Sequence, residues 1–212
     1  MMKNSISCLI FDFDGVIADT DLGRYKILVK LLKKYNNELT ISFSKEELIG
    51  LSTKSFLKKY FKNMSEKEID KIIKKRHEIF FSNLKNYCIP YKNMVETISD
   101  LSSKYDLAIA TTSNLENVKT QLKYLGIIDY FKWIMGREIT ENSNLEKTYK
   151  PVSTIIEKKI KECIVIEDSD FGIQAAKKEG YYCIKFEPAL ISKNTLENEK
   201  VSSYSELKSR LS

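Results

Sequence analysis

Ile6-Ser7-Cys8-Leu9-Ile10-Phe11-Asp12-Phe13-Asp14-Gly15 decides how the rest of the chain is read. A nearly continuous apolar run stops abruptly at an acidic turn. That is the pattern of a strand buried on both faces, not of one with a wet side. The same texture returns at residues 106–111, 133–136, 163–166 and 182–186. Between these runs the apolar period lengthens. Leu115, Val118, Leu122 and Leu125 follow helical spacing, with Asn114 placed to cap the helix and Gly126 to end it. Met94, Val95, Ile98 and Leu101 mark a second helix, and Ile173 and Ala176 a third that Gly180 closes. Such alternation predicts an α/β fold, a doubly wound parallel sheet with helices on both faces. Residues 196–203 read as a polar loop.

Residues 22–89 interrupt the alternation. They hold no convincing strand and at least three helical stretches. Tyr25, Leu28, Leu32 and Tyr35 make one apolar stripe, and the pairs Ser44/Glu47 and Ser65/Glu68 have the spacing of capping boxes. The expected organisation is therefore a core of residues 1–19 and 91–212 with a small all-helical domain, 20–90, inserted after the first strand. Charge follows the same division. The net charge of +6 arises in residues 20–92, where 17 Lys and Arg face 8 Asp and Glu, while the remainder carries 18 against 21. A lysine-rich solvated surface and a field that draws anions toward a cleft both fit this bias. Nucleic acid is not expected as a partner, because the lysines lie along helices without a recognisable binding motif.

Composition removes other classes. One histidine, His77, excludes any mechanism that needs two. Cys8, Cys88, Cys163 and Cys183 form no C-x-x-C pair, so neither a thiolate metal site nor a disulfide framework is expected. No run of about 18 apolar residues exists, and the first residues lack the zones of a secretory signal. The expectation is a cytoplasmic protein without a membrane partner.

In parallel sheets ligands bind beyond the carboxyl ends of the strands. Asp12, Asp14 and Gly15 follow the first strand, Thr111, Thr112 and Ser113 the run from 106, and Glu167 and Asp168 the run from 163; Lys150-Pro151 opens a helix between the last two. Taken singly these have ordinary readings: a surface turn, a helix cap, a proline at a helix start. Their conjunction, in order and each at a strand end or helix start, points to one site. Clustered carboxylates repel one another unless a cation lies among them, and a hard divalent ion such as Mg²⁺ suits oxygen ligands. Thr111 and the amides after it suit a phosphate, for which Lys150 supplies a point charge. Strand alternation would place Asp12 and Asp14 on one face, so that Asp12 can attack phosphorus while Asp14 protonates the leaving oxygen.

The chain resembles the haloacid dehalogenase superfamily, in its phosphatase and phosphoglucomutase-like branch with a helical cap. The resemblance rests on Asp12-Phe13-Asp14-Gly15-Val16, Ala110-Thr111-Thr112-Ser113-Asn114, Lys150-Pro151, and the run from Glu167-Asp168-Ser169-Asp170 through Phe171-Gly172-Ile173-Gln174-Ala175-Ala176. It implies a Rossmann-like core and hydrolysis of a small organic phosphate monoester (a sugar, polyol or other small alcohol phosphate). Asp12 would be the phosphorylated nucleophile and Asp14 the general acid and base. Asp12, the Asp14 carbonyl and Asp168 would hold Mg²⁺ with Glu167 beside it, and Thr111, Thr112 and Lys150 the phosphoryl oxygens. Arg24 and Thr53, the latter in the loop Gly50-Leu51-Ser52-Thr53, stand where the branch places substrate-selecting groups. The chain departs from the branch in lacking the second proline and the carboxylate that usually follow the Lys-Pro pair, Val152-Ser153-Thr154 standing there instead, and in Asn93, where a glycine is common. Arg24 and Thr53 replace the histidine and arginine of the sugar-phosphate mutases, which favours hydrolysis over the alternative of a phosphoglucomutase-like mutase. Asp14 argues against a dehalogenase. A receiver-like or non-catalytic binding module is disfavoured, because its phosphorylated aspartate would follow a later strand and no acidic position is lost here.

Overall fold

The computed structural model describes residues 6–35, 43, 53–142, 146–188 and 196–212. In chain order the elements are β1 (Cys8–Phe11), β2 (Ala18–Asp19), α1 (Asp21–Tyr35), α2 (Thr53–Tyr60), α3 (Glu66–Phe81), α4 (Leu84–Tyr87), β3 (Ile89–Pro90), α5 (Met94–Ser102), β4 (Asp106–Ala110), α6 (Leu115–Tyr124), β5 (Trp133–Met135), α7 (Arg137–Thr140), α8 (Val152–Ile155), β6 (Cys163–Glu167), α9 (Asp170–Lys178), β7 (Tyr182–Phe186), β8 (Glu199–Val201) and α10 (Tyr204–Leu211). The chain divides into two compact units, Met1–Ala18 with Pro90–Ser212, and Asp19–Ile89. The crossings between them, β2 and β3, pair as a two-stranded sheet.

The larger unit is a six-stranded sheet, ordered β5-β4-β1-β6-β7-β8 and parallel throughout, flanked by helices. It is the doubly wound, Rossmann-like α/β fold expected from the sequence. β1 is buried along its whole length, as its unbroken apolar run requires. Cys8 and Ile10 pack with Ala108, Ala110, Cys163 and Val165 against Val152, Ile156, Ile173 and Ala176. Each valine and isoleucine among them contributes about 1.5–3 kcal/mol of transfer free energy if fully buried. All four cysteines are reduced and buried, Cys8, Cys163 and Cys183 on sheet strands and Cys88 in the smaller unit.

Two details differ from the sequence reading, and a third adds to it. Residues 199–201 form the edge strand β8, parallel to β7, not part of a loop; an edge strand needs neither length nor an apolar run, and its Glu and Lys are usual on an edge. On α5, Val95 is exposed and Thr97 takes a buried position beside Met94, Ile98 and Leu101. Asn93, at the glycine position, adopts φ 63°, a left-handed conformation asparagine tolerates better than most residues.

In the smaller unit Leu28, Leu32, Phe56, Leu57, Ile69 and Ile72 form a separate core, joined by Phe43. Tyr35 ends its stripe exposed. Ser65 and Glu68 make the expected capping box at the start of α3; Ser44 and Glu47 lie outside the described residues. Among the described residues no helix is long and apolar enough to cross a membrane.

Candidate active site

Register assembles the site. Phe11 pairs with Ile109 on one side and Ile166 on the other, so one step further Asp12 lies between the ends of β4 and β6. Strand order reverses here too, with β4 on one flank of β1 and β6 on the other, the switch point at which a crevice opens. The Asp12 amide donates to the Ile166 carbonyl at 2.9 Å. The chain then turns back through Gly15, whose amide donates to the Ala18 carbonyl at 3.0 Å. Gly15 has φ 79°, and a Cβ there would fall 2.0 Å from Asp168 Oδ2. Any side chain at 15 would displace that carboxylate.

Asp12, Glu167 and Asp168 each offer a carboxylate oxygen within 4.8 Å of the others. Asp14 belongs to the next group of contacts: Ser113 Oγ donates to Asp14 Oδ2 at 2.5 Å. The Ser113 amide donates to Thr111 Oγ1 at 3.2 Å, and the Thr111 carbonyl accepts from Thr140 Oγ1 at 2.6 Å. Thr111 is buried and Thr112 partly so. Asn114 caps α6 by accepting from the amides of Glu116 and Asn117, and Arg137 Nε donates to the Thr112 carbonyl at 3.2 Å. The hydroxyl loop after β4 is thus fixed on both sides.

The lysine at the carboxylates is Lys147, not Lys150. Lys147 Nζ donates to Asp12 Oδ1 at 2.7 Å and to Glu167 Oε1 at 2.5 Å. Lys150 is exposed, its amide turned onto Thr148 Oγ1. Alternation explains the correction. Lys147 forms an extended bridge with Glu141, and Tyr149, two residues on, is wholly buried under it, the ammonium 5.3 Å from the ring centre. Residues 147 and 149 therefore point inward and 148 and 150 outward. The neighbouring proline drew the sequence reading to the wrong lysine; the buried tyrosine was the signal that could have redirected it.

Glu167 has no exposure. Besides Lys147 it accepts from the Ser169 amide at 3.0 Å, the Ser169 hydroxyl at 3.1 Å and the Tyr149 hydroxyl at 3.4 Å. A Cβ on Gly172 would lie 1.7 Å from Glu167 Oε1, which accounts for glycine in the first turn of α9. Burial pushes the Asp12 carboxyl up to about 7 against the pull of Lys147, with Glu167 and Asp14 adding to the rise. Burial by itself would depress the Lys147 ammonium, but Asp12 and Glu167 outweigh it and hold it well above its ordinary value. Among the described residues three carboxylates, those of Asp12, Glu167 and Asp168, crowd together beside the Lys147 ammonium, and hard oxygen donors of this kind fit a divalent cation such as Mg²⁺.

In the smaller unit, Arg24 lies 5.7 Å from the centre of the Phe80 ring and 3.7 Å from Asp21. Thr53 is buried as the first residue of α2; Gly50, Leu51 and Ser52 lie outside the described residues.

The sequence profile of the haloacid dehalogenase-like hydrolases matches residues 9–186. Fructose-1-phosphate phosphatase YqaB of Escherichia coli is 25% identical over 174 residues, covering 81% of this chain and 92% of its own. Among solved structures, the haloacid dehalogenase-like hydrolase SP0104 of Streptococcus pneumoniae superimposes with a TM-score of 0.80 at 17% identity, over 99% of this chain and all of the other. CbbY of Rhodobacter sphaeroides, solved with phosphate, gives 0.77 at 20%, over 95% and 96%. The chain belongs to the haloacid dehalogenase-like hydrolases.

Proposed function

We propose that this member of the family is a magnesium-dependent phosphatase, hydrolysing a small organic phosphate monoester through an aspartyl phosphate on Asp12. The observation that carries the reading is the placement of Asp12 at the end of the central strand, with Lys147 on one oxygen and Asp14 two residues on. The name of the Escherichia coli relative favours a sugar phosphate as substrate.

Asp12, Asp168 and the Asp14 carbonyl would hold the cation, with Glu167 behind them. Once bound, it would keep Asp12 ionised and offset charge on the transferring group. Asp12 attacks phosphorus, the ester P–O bond breaks, and the leaving oxygen takes its proton from Asp14. Water then attacks the acyl phosphate, Asp14 recovers a proton, and inorganic phosphate and free Asp12 result. The Ser113 hydroxyl holds Asp14 in place for both transfers. Thr111 Oγ1 already accepts from the Ser113 amide, so the proton it offers a phosphoryl oxygen is its own. Thr112 completes that loop. Lys147 takes the role that the sequence suggested for Lys150, countering charge on phosphorus. Arg24 and Thr53 in the smaller unit select the substrate's alcohol portion.

The test is release of inorganic phosphate from a panel of phosphate esters with Mg²⁺, and trapping of an acid-stable, base-labile phosphoprotein. Asp12→Asn should lose both. Retained turnover in that variant would refute the nucleophile, and rapid interconversion of glucose phosphates without phosphate release would make the protein a mutase.

A further inference from the structure

Lys185 is a charged side chain only 3% exposed. It stands on β7 beside Glu167 in the parallel register. Its ammonium lies 2.6 Å from Asp170 Oδ1 and 3.6 Å from Glu187 Oε1. Glu187 is 3.1 Å from Lys200, the middle residue of β8, which is 3.6 Å from Glu197. A chain of alternating charge thus runs from the edge of the sheet to the first residue of α9. Burying an ammonium is costly unless a partner is held in good geometry, so this pair binds the start of α9 to the sheet.

The stretch it holds is the one that presents Asp168. On one side of that residue, Glu167 is fixed by Lys147 and receives both the amide and the hydroxyl of Ser169. On the other, Asp170 is fixed by Lys185. Asp168 sits in a turn tied at both ends, while Gly15 leaves the space its carboxylate fills.

We propose that Lys185 is a positioning residue for the cation site: by gripping Asp170 it fixes the turn carrying Asp168 and so raises the affinity of the carboxylates for a divalent cation. This rests on the reading that Asp12, Asp168 and the Asp14 carbonyl bind such a cation, with Glu167 behind them. Charge and position predict opposite signs here. A nearby ammonium repels Mg²⁺, so its removal would tighten binding if charge alone mattered. If Lys185 acts through the turn, its removal weakens binding.

The experiment is calorimetric titration of Mg²⁺ into the metal-stripped full chain, well below each variant's melting temperature, which is recorded separately. Lys185→Met should weaken Mg²⁺ binding by about tenfold, the lower end of the loss seen when a direct partner of a metal ligand is removed, and Lys185→Arg, which keeps the charge, should stay within about threefold of the parent. Turnover of Lys185→Met should recover as Mg²⁺ is raised. Asp170→Asn cuts the same tie from its partly exposed end and should weaken binding too, but it also removes a negative charge, so Lys185→Gln, which removes only the ammonium, carries the test if Lys185→Met does not fold. Binding in Lys185→Met, Lys185→Gln or Asp170→Asn as tight as in the parent, or tighter, overturns the proposal. If the parent binds no Mg²⁺, or Asp168→Asn binds it unchanged, the cation reading itself has failed and the proposal falls with it.

Discussion

The end of the sheet and the helical unit handle charge in opposite ways. Around Asp12 one ammonium, 11% exposed, meets carboxylates that have left water almost entirely. Among the described residues of 53–81 the ion pairs lie in solvent: Lys54 reaches Glu66 at 2.8 Å with about half of each side chain exposed, and Glu66 also pairs with Lys58. The first arrangement has few charges and strong coupling, because little water screens them. The second has many charges and weak coupling, since water and salt screen exposed pairs. The count of lysines therefore says little about where charge acts; the solvent around each lysine decides.

The sharpest way to break this comparison is to treat two lysines three residues apart alike. Lys147→Ala strands buried carboxylates and removes the cation that the proposed mechanism sets against phosphorus. Its kcat/KM should fall by roughly 10²–10³, as for loss of a preorganised donor, with melting of the metal-free protein lowered as well. Lys150→Ala removes an exposed charge and should stay within about 0.5 kcal/mol of the parent in stability, with activity retained. Equal losses in steady-state assays of the two variants would show that burial does not separate them.

A second substitution probes the same cluster through shape. Gly172→Ala puts a methyl group where Glu167 Oε1 lies, and should cost about 1–3 kcal/mol as overpacking. Thermal unfolding measures it. An unchanged melting temperature would mean that Glu167 can leave Lys147 and Ser169 at little cost.

The smallest effect belongs to the solvated side. Ser65→Ala removes the cap of α3 and should cost about 1 kcal/mol, read by denaturant titration. The Ser65 hydroxyl, then the Tyr35 hydroxyl and the Ser65 amide, lower the Glu68 carboxyl to about 2. A depressed carboxylate stabilises fully above its unfolded value near 4.3. That contribution is lost as pH falls from about 4.3 through 2, and a carboxyl titration of Glu68 followed by NMR locates it. A midpoint near the unfolded value would show the box open in solution.

Legibility in the sequence followed burial. β1, β4, β6 and β7 were readable because a strand covered on both faces must be apolar throughout, and their common register brought Asp12, Thr111 and Glu167 together as their positions at strand ends suggested. β8 was hidden because an edge strand obeys no such requirement. Lys147 was hidden because a proline is a louder local signal than the inward turn of a single tyrosine. Lys185 gave no sign at all: nothing in the run Tyr182-Cys183-Ile184-Lys185-Phe186 tells a lysine that snorkels to water from one that stays inside beside Asp170. Asn93 shows the converse case, a departure from a common glycine that the backbone absorbs without leaving the left-handed region.

The four buried cysteines have a practical consequence. A thiol reagent meets no reactive sulfur on the folded surface, so each modification event must wait for the chain to open around it. Cys88 lies in the helical unit, while Cys8, Cys163 and Cys183 lie on β1, β6 and β7. The molecule thus carries its own pair of stopwatches: the pace at which Cys88 is modified times the opening of one unit, and the pace of the other three times the opening of the sheet, with no foreign label introduced.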